Sequence, residues 1–182
     1  MIKLLLILLN SLILLWPNFV RSDNAIELVE VYLINQLDDQ RGYCVDIKGH
    51  KSRAKINRGI QAHTCYSYQG EIAVDQGFNR KRIMKNEFIL SSFNVCIEAS
   101  SVVEVGILYL KDCDMGKAQK FILMSDGKIS LTSNKKLCLT VSQGESRKGG
   151  GGAPLHLIRN LSLEFCSDKI SNYQKWGLRS KH

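Results

Sequence analysis

GYCVDI at residues 42–47, followed by IQAHTC at residues 60–65 and QGF at residues 76–78, forms the phrase that decides the fold. Its form is Cys-apolar-x-apolar, a turn, apolar-x-apolar-x-x-Cys, a second turn and Gln-x-aromatic. Two more copies follow in the same order. They are NVCIEA, LYLKDC and QKF between residues 94 and 121, and KLCLTV, LSLEFC and QKW between residues 136 and 176. The chain therefore contains an internal threefold repeat.

The apolar residues in each copy alternate with a period of two, which is typical of half-buried strands. A further apolar stretch precedes each first cysteine, at residues 31–34, 88–90 and 128–131. The sequence after residue 22 has no convincing helical periodicity over three turns. These patterns predict an all-β fold of three four-stranded repeats, at about residues 30–80, 86–125 and 128–178.

Six cysteines fall into one pair per repeat. An even number of cysteines in an exported chain indicates disulfides, although six cysteines allow about 15 pairings. If the repeats are equivalent, the two cysteines of each repeat pair with each other. The predicted bonds are Cys44–Cys65, Cys96–Cys113 and Cys138–Cys166. Each bridge would stabilise the fold by roughly 3 kcal/mol.

The N-terminus has the features of a secretory signal peptide. Lys3 precedes the apolar run Leu4–Trp16, and Val20 and Ser22 are small residues placed for cleavage after residue 22. We therefore predict a signal peptide at residues 1–22 and a mature domain at residues 23–182, secreted or extracytoplasmic. An uncleaved anchor is the alternative, although the run is short for a membrane span. The net charge of +8 becomes +6 without Lys3 and Arg21.

The repeats resemble those of the ricin B-type β-trefoil lectin family. That family has a Cys-apolar-Asp-apolar opening, a strand that carries Gln and ends in Cys, and a closing Gln-x-Trp. The resemblance covers about Val31 to Leu178. Trp is the usual closing aromatic in the family; Trp176 matches it, whereas Phe78 and Phe121 replace it in the other two repeats. It implies a β-trefoil with the closing aromatics in the core, and a protein that binds carbohydrate instead of catalysing a reaction.

The same resemblance places a sugar site in repeat one. The family uses an acid two residues after the first cysteine, a Gln and a platform before the second cysteine, and an Asn-Gln pair in the closing motif. The corresponding residues here are Asp46, Gln61, His63, Asp75 and Gln76. His63 is a smaller and more polar platform than Trp, and Tyr66 and Tyr68 offer a further aromatic face.

Repeats two and three match this pattern less well. The residues at the acid, Gln and platform positions of repeat two are Glu98, Tyr109 and Lys111. Those of repeat three are Thr140, Ser162 and Glu164. The third alignment stays open, because residues 154–158 also form a candidate for the strand. We expect repeats two and three to be mainly structural.

A basic cluster follows the predicted acid of repeat one. It consists of Lys48, His50, Lys51, Arg53, Lys55 and Arg58, and a second group after the closing motif consists of Arg80, Lys81, Arg82 and Lys85. One interpretation is a solvated surface that keeps the protein soluble. The other is a preference for sulfated, uronic-acid or sialylated glycans, or for an anionic cell surface.

Other function classes have weaker support in the sequence. Asp46 and Asp75 could be imagined as a glycosidase pair, but the resemblance already gives Asp46 a binding role and implies that catalysis belongs to separate domains, so we expect no enzyme. No C-x-x-C motif and no metal-ligand spacing of histidines occurs, so no metal or cofactor is expected. Expected partners are glycans, with no nucleic acid and membrane contact only through surface glycans. A protein-binding trefoil, such as a toxin-targeting subunit or a protease inhibitor, is the alternative.

Overall fold

The computed structural model describes residues 26–150 and 153–180, so the predicted signal peptide at residues 1–22 lies outside the described residues. The helices in this part of the chain are short. The one α-helix is α1 (Arg80–Ile83), and the 3-10 turns are Lys51–Arg53, Ile56–Arg58, Ser67–Gln69 and Asp168–Tyr173. Within the described ranges, no helix has the length and apolar character that crossing a membrane requires.

Strands dominate the described residues and repeat in sets of four. Repeat one contains β1 (Leu28–Leu33), β2 (Tyr43–Ile47), β3 (Ile60–Thr64) and β4 (Phe78–Asn79). Repeat two contains β5 (Ile89–Leu90), β6 (Val95–Ala99), β7 (Gly106–Asp112) and β8 (Phe121–Leu123). Repeat three contains β9 (Ile129–Leu131), β10 (Leu137–Val141), β13 (Leu161–Phe165) and β14 (Trp176–Arg179). Two additional strands, β11 (Arg147–Lys148) and β12 (Leu157–Arg159), interrupt the third set.

The first and last strands of the three repeats form a closed ring. β1 pairs with both β4 and β14, β4 pairs with β5, and β8 pairs with β9, all antiparallel. Single bridges, Glu87 to Lys120 and Lys128 to Lys175, complete the two remaining junctions. Six strands thus surround the core with no open edge, which removes a site of unwanted pairing. The remaining two strands of each repeat pair as hairpins: β2–β3, β6–β7 and β10–β13. The predicted all-β trefoil is confirmed.

The aromatic residues of the closing motifs lie in the core. Phe78, Phe121 and Trp176 are buried, and Phe88 packs edge-on against both phenylalanines with ring centroids 6.2 Å apart. The Trp176 indole N–H donates to the Leu139 carbonyl at 2.9 Å, which satisfies its one polar atom. Phe and Trp therefore occupy equivalent core positions in the three repeats.

All three predicted disulfides are confirmed. They are Cys44–Cys65, Cys96–Cys113 and Cys138–Cys166, with Cα–Cα distances of 4.9, 5.1 and 5.1 Å. In each repeat, the bond joins a cysteine in the first strand of the hairpin to the cysteine that directly follows the second strand. The three cysteine pairs therefore hold equivalent points of the threefold fold.

The register of the hairpins resolves the open alignment of repeat three. Asp46 lies opposite Gln61 in repeat one, and Thr140 lies opposite Ser162 in repeat three. The segment Leu161–Cys166 is therefore the equivalent of the repeat-one strand. Residues 157 and 158 of the competing segment begin β12, which pairs with β11 on one side and with β3 of repeat one on the other. An added hairpin of repeat three thus lies against repeat one.

Candidate functional site

Three of the five predicted site residues form one hydrogen-bonded group. The pairing of β2 with β3 places Asp46 opposite Gln61. The Gln61 side-chain amide donates to one oxygen of Asp46, and the Gln76 amide donates to the other, both at 3.0 Å. Asp46 is only 1% exposed, so the two amides replace the water that a carboxylate otherwise requires.

The closing-motif glutamine has the same function in each repeat. Its carbonyl oxygen accepts from the backbone N–H that follows the second cysteine, at 2.9–3.1 Å. Its amide donates to the carbonyl that precedes that cysteine, at 2.9–3.2 Å. It also donates to the side chain two residues after the first cysteine, which is Asp46, Glu98 or Thr140. Gln76, Gln119 and Gln174 therefore hold the three hairpins together in the same way.

Asp75 lies behind Asp46 and shares its buried environment. One Asp75 oxygen accepts from the backbone N–H of Lys51, while the other has no hydrogen-bond partner among the described residues. Burial, reinforced by the charge of Asp75, raises the pKa of Asp46 well above its ordinary value. Burial also raises the pKa of Asp75. Both carboxyls thus favour protonation more than exposed acids do.

His63 belongs to a stack of three rings. Its ring stacks on those of Tyr66 and His156, with centroids 5.1 and 5.0 Å away and interplanar angles of 26° and 23°. The Tyr66 and His156 rings are also in contact, 5.1 Å apart and tilted by 48°, so each ring touches the other two. Its Nδ1 is 2.8 Å from the Thr64 carbonyl, which can only accept, so Nδ1 carries the proton and Nε2 is an acceptor. Burial lowers the pKa of His63 to about 4 and also lowers the pKa of His156. The stack is therefore uncharged at neutral pH.

A cavity of about 710 Å³ opens beside this stack. Of the predicted residues, Gln61 and His63 line it, whereas Asp46, Asp75 and Gln76 are not in its wall. Tyr66 also lines the cavity, whereas Tyr68 is 47% exposed, is not part of the lining and packs beneath the Arg41 guanidinium. The cavity therefore combines an amide with an aromatic wall.

Positive charge dominates the rest of the cavity lining. The cationic residues are Lys48, Arg53, Arg58 and Arg147, joined by His50. No carboxylate belongs to the lining, and none of these four cations forms an ion pair with the part of the chain that the structure describes. Like charges that converge without counterions make the electrostatic potential of the cavity positive. Four of the six residues of the first basic cluster therefore line the cavity: Lys48, His50, Arg53 and Arg58. A fifth, Lys51, lies nearby, with its ammonium 5.5 Å from the centre of the Tyr66 ring.

The second basic group has a different role. Arg80 forms an ion pair with Glu27 at 3.4 Å, and Arg82 forms one with Glu87 at 2.5 Å. These arginines belong to α1, and their charge is partly balanced by the neighbouring carboxylates. Arg80 and Arg82 thus face carboxylates, whereas the four cations that line the cavity of repeat one form no ion pair with the described residues.

The ricin-type beta-trefoil lectin domain family matches residues 31–176, which is most of the chain. The chain belongs to this family. Its repeats, closing aromatics and glutamine network are accordingly those of a lectin domain. A search among curated proteins finds no match.

Solved structures share the fold of this lectin domain at low sequence identity. The C-half of an earthworm R-type lectin, in complex with GalNAc, has a TM-score of 0.56 and 15% identity. A mutant of the earthworm lectin C-terminal domain, in complex with 6′-sialyllactose, has a TM-score of 0.53 and 15% identity. Both alignments cover 85% of this chain and 98% of the other. The mdaA-1 domain has a TM-score of 0.58 and 13% identity, with coverages of 85% and 90%.

Repeats two and three of the lectin domain present different surfaces at the equivalent positions. Tyr109 replaces Gln61 and is exposed, and the Lys111 ammonium lies 5.9 Å from the centre of its ring. In repeat three, Thr140 replaces the acid and is bonded to Gln174. Outside these hairpins, Glu30, Cys44 and Cys65 form a group with metal-ligating atoms, but both sulfurs belong to a disulfide and offer no thiolate.

The sequence did not reveal two residues that complete the site. His156 covers His63, and Arg147 contributes to the cavity, although both belong to repeat three. One signal was present: the third pair of cysteines is separated by 28 residues, against 21 and 17 in the other repeats. That extra length indicated an insertion, but local sequence does not specify where an insertion docks.

Proposed function

We propose that this lectin domain binds carbohydrate in the cavity of repeat one and prefers glycans that carry negative charge. The observation that carries the proposal is the composition of one cavity of about 710 Å³. Its wall combines the Gln61 amide, the rings of His63 and Tyr66, and four cations without a carboxylate. Sugar recognition needs polar groups for hydroxyls and an apolar face for C–H groups, and the cations add attraction for acidic substituents.

Gln61 is the residue that we assign to direct contact with a hydroxyl group. Its amide nitrogen donates to Asp46, which leaves its carbonyl oxygen to accept from a ligand. Asp46 and Gln76 then act mainly as positioning residues, because the first fixes the orientation of Gln61 and the second fixes Asp46. Asp75 supports the loop above them through the backbone of Lys51.

The earthworm lectin domains offer a precedent for two kinds of ligand. One was solved with GalNAc, which is neutral, and a mutant was solved with 6′-sialyllactose, which carries a carboxylate. A trefoil surface can thus present a site to either class. For this chain, the unpaired cations of the cavity favour the acidic class.

The proposal includes secretion and the absence of catalysis. Three disulfides fit an oxidising compartment, in agreement with the predicted signal peptide. Hydrolysis of a glycosidic bond requires two carboxyl groups that flank the bond. Asp46 and Asp75 are both buried and neither lines the cavity, so they lack the exposure that such a pair needs.

The first experiment is a glycan array with the mature protein, the Gln61→Ala variant and the Tyr109→Ala variant. Tyr109 occupies the position of Gln61 in repeat two, so it is the matched control. We expect the parent and Tyr109→Ala to bind the same glycans, and Gln61→Ala to bind them at least about tenfold more weakly. Failure of the folded, oxidised parent to bind any glycan would refute carbohydrate binding. Equal binding by all three proteins would place the site elsewhere.

The charge preference has a separate test. Binding of sialylated, uronate-containing and sulfated glycans should weaken as salt rises from about 50 mM to 500 mM, because salt screens exposed charges. The double variant Arg53→Gln/Arg58→Gln should lose affinity for these glycans and keep that for their neutral parents. Lys117→Gln, an exposed charge in repeat two, serves as the control. Affinity that is independent of salt would contradict the preference.

A protein partner is the second candidate, and one surface of repeat two favours it. Val103, Val105, Ile107 and Tyr109 are exposed at alternate positions, at 74%, 44%, 56% and 42%. Apolar strips of this kind are typical of protein contacts. If a partner co-purifies, Ile107→Ser should release it while glycan binding persists; retention of the partner would exclude this surface.

A further inference from the structure

The added hairpin of repeat three, formed by β11 and β12, is fixed to repeat one. β12 pairs with β3, with Ile158 opposite His63 and Arg159 opposite Ala62. The Thr64 hydroxyl accepts from the backbone N–H of Leu157 at 2.9 Å and donates to the Leu157 carbonyl at 3.3 Å. The hairpin is therefore an extension of the repeat-one sheet.

Buried charge adds to this attachment. Arg159 is 4% exposed, forms an ion pair with Asp38 at 2.9 Å and donates to the carbonyls of Ser142 and Gly144. Although burial opposes it, hydrogen bonds from Tyr43, Ser146 and Arg159 hold the pKa of Asp38 below its ordinary value. Because breaking one side of such a pair leaves a buried charge uncompensated, separation of the hairpin from repeat one is unfavourable.

Arg147 extends from this hairpin into the lining of the cavity. Its guanidinium donates to the Asn160 side-chain oxygen at 2.9 Å, a neutral partner on the same repeat. This contact orients the guanidinium and leaves its positive charge unbalanced. The other cations of the cavity wall, Lys48, Arg53 and Arg58, belong to the loop of repeat one. Positive charge therefore enters the cavity from two separate segments of the chain.

We propose that Arg147 is a specificity-determining residue that adapts the cavity to glycans with at least two negative groups. The inference rests on the proposed function of the same cavity. A single carboxylate or sulfate forms a bidentate pair with one guanidinium and leaves the remaining cations to repel one another. A second negative group, held by Arg147 while the first is held by the loop of repeat one, relieves that repulsion. The ligand class is a disaccharide unit with one uronate and one sulfate, or with two sulfates.

Calorimetric titration with three probes tests this assignment. The probes are a chondroitin sulfate disaccharide with one carboxylate and one sulfate, a monosulfated lactose, and lactose. We expect Arg147→Gln to weaken binding of the chondroitin disaccharide about tenfold, the effect of losing one charge-assisted contact, and to change binding of monosulfated lactose less than about twofold. Lys148→Gln is the matched control, because Lys148 follows on the same strand, is exposed and does not line the cavity. Thermal unfolding verifies that both variants retain the fold.

The outcomes separate this inference from the proposed function. If Arg147→Gln binds the chondroitin disaccharide as the parent does, while Arg53→Gln binds it more weakly, the role of Arg147 is refuted and the anionic site remains. An equal loss in Lys148→Gln would also refute it, because general surface charge would then explain the effect. If the folded parent binds none of the three probes and no glycan on the array, the proposed function itself fails.

Discussion

Acidification from neutral pH to about pH 4 is expected to lower the free energy of unfolding by about 3 kcal/mol through His63 alone. The folded-state pKa of His63 is about 4, against an ordinary value of 6.5, and each pH unit of difference corresponds to about 1.36 kcal/mol. The unfolded chain binds this proton more readily than the folded protein. Stability from His63 is therefore complete above about pH 6.5, falls as the pH drops from there, and is lost at about pH 4.

Urea unfolding at a series of pH values, with the parent and His63→Phe, measures this contribution. Phe preserves a ring against both Tyr66 and His156 and cannot titrate, and the Thr64 carbonyl keeps its hydrogen bond from Gln76. The difference between the two proteins cancels the opposite effect of Asp46 and Asp75, whose raised pKa values favour folding as the pH falls.

The difference in unfolding free energy should change by about 3 kcal/mol between pH 7 and about pH 4. His50→Asn is the control, because it removes an exposed imidazole outside the stack and should follow the parent. Parallel pH profiles of the parent and His63→Phe would refute the argument. They would mean that the ring is reached by water, or that the stack opens at little cost when His63 is protonated.

Three further predictions concern the scaffold, each measured by urea unfolding at neutral pH. Trp176→Ala should cost roughly 3–5 kcal/mol, since it leaves a void in the core and removes the hydrogen bond to the Leu139 carbonyl; a cost below about 1 kcal/mol would contradict a buried indole. Gln174→Ala should cost roughly 2–4 kcal/mol because three hydrogen bonds are lost, whereas no change would mean that water replaces the amide. Replacement of Cys96 and Cys113 by alanine should cost about 3 kcal/mol, and an unchanged midpoint would show that the loop needs no bridge.

Local sequence predicted the fold because each feature that defines it is local to a repeat. The alternation of apolar residues predicted the strands, and the recurrence of the cysteine pairs predicted both the threefold organisation and the disulfides. The exception is the hairpin of β11 and β12. The segment at residues 154–158, which leads into its second strand, was also a candidate for the repeat strand, and only the pairing of β12 with β3 distinguishes it from Leu161–Phe165. Such pairing between strands that are distant in sequence cannot be predicted from a short window of sequence.

The candidate site was predictable only in part for the same reason. Asp46, Gln61 and Gln76 form one hydrogen-bonded group because the hairpin register and the closing motif bring them together. His156 and Arg147 come from a different repeat and depend on where an insertion docks. The extent of burial was not predictable either, because Asp46 and Asp75 are 1% and 0% exposed, although aspartate side chains are mostly exposed in proteins.

The comparison of the three repeats explains why repeat one holds the cavity. The glutamine of the closing motif makes the same three contacts in every repeat, so that network distinguishes none of them. The repeats differ in the segments that lie beside the hairpin. Repeat one has the long loop between β2 and β3 on one side and the hairpin of repeat three on the other, and both contribute cations to the wall. At the equivalent place, repeat two exposes Tyr109 instead. Under the proposed function, the specificity of this trefoil depends on these two insertions, and variants that shorten either one should alter ligand choice while leaving the threefold core intact.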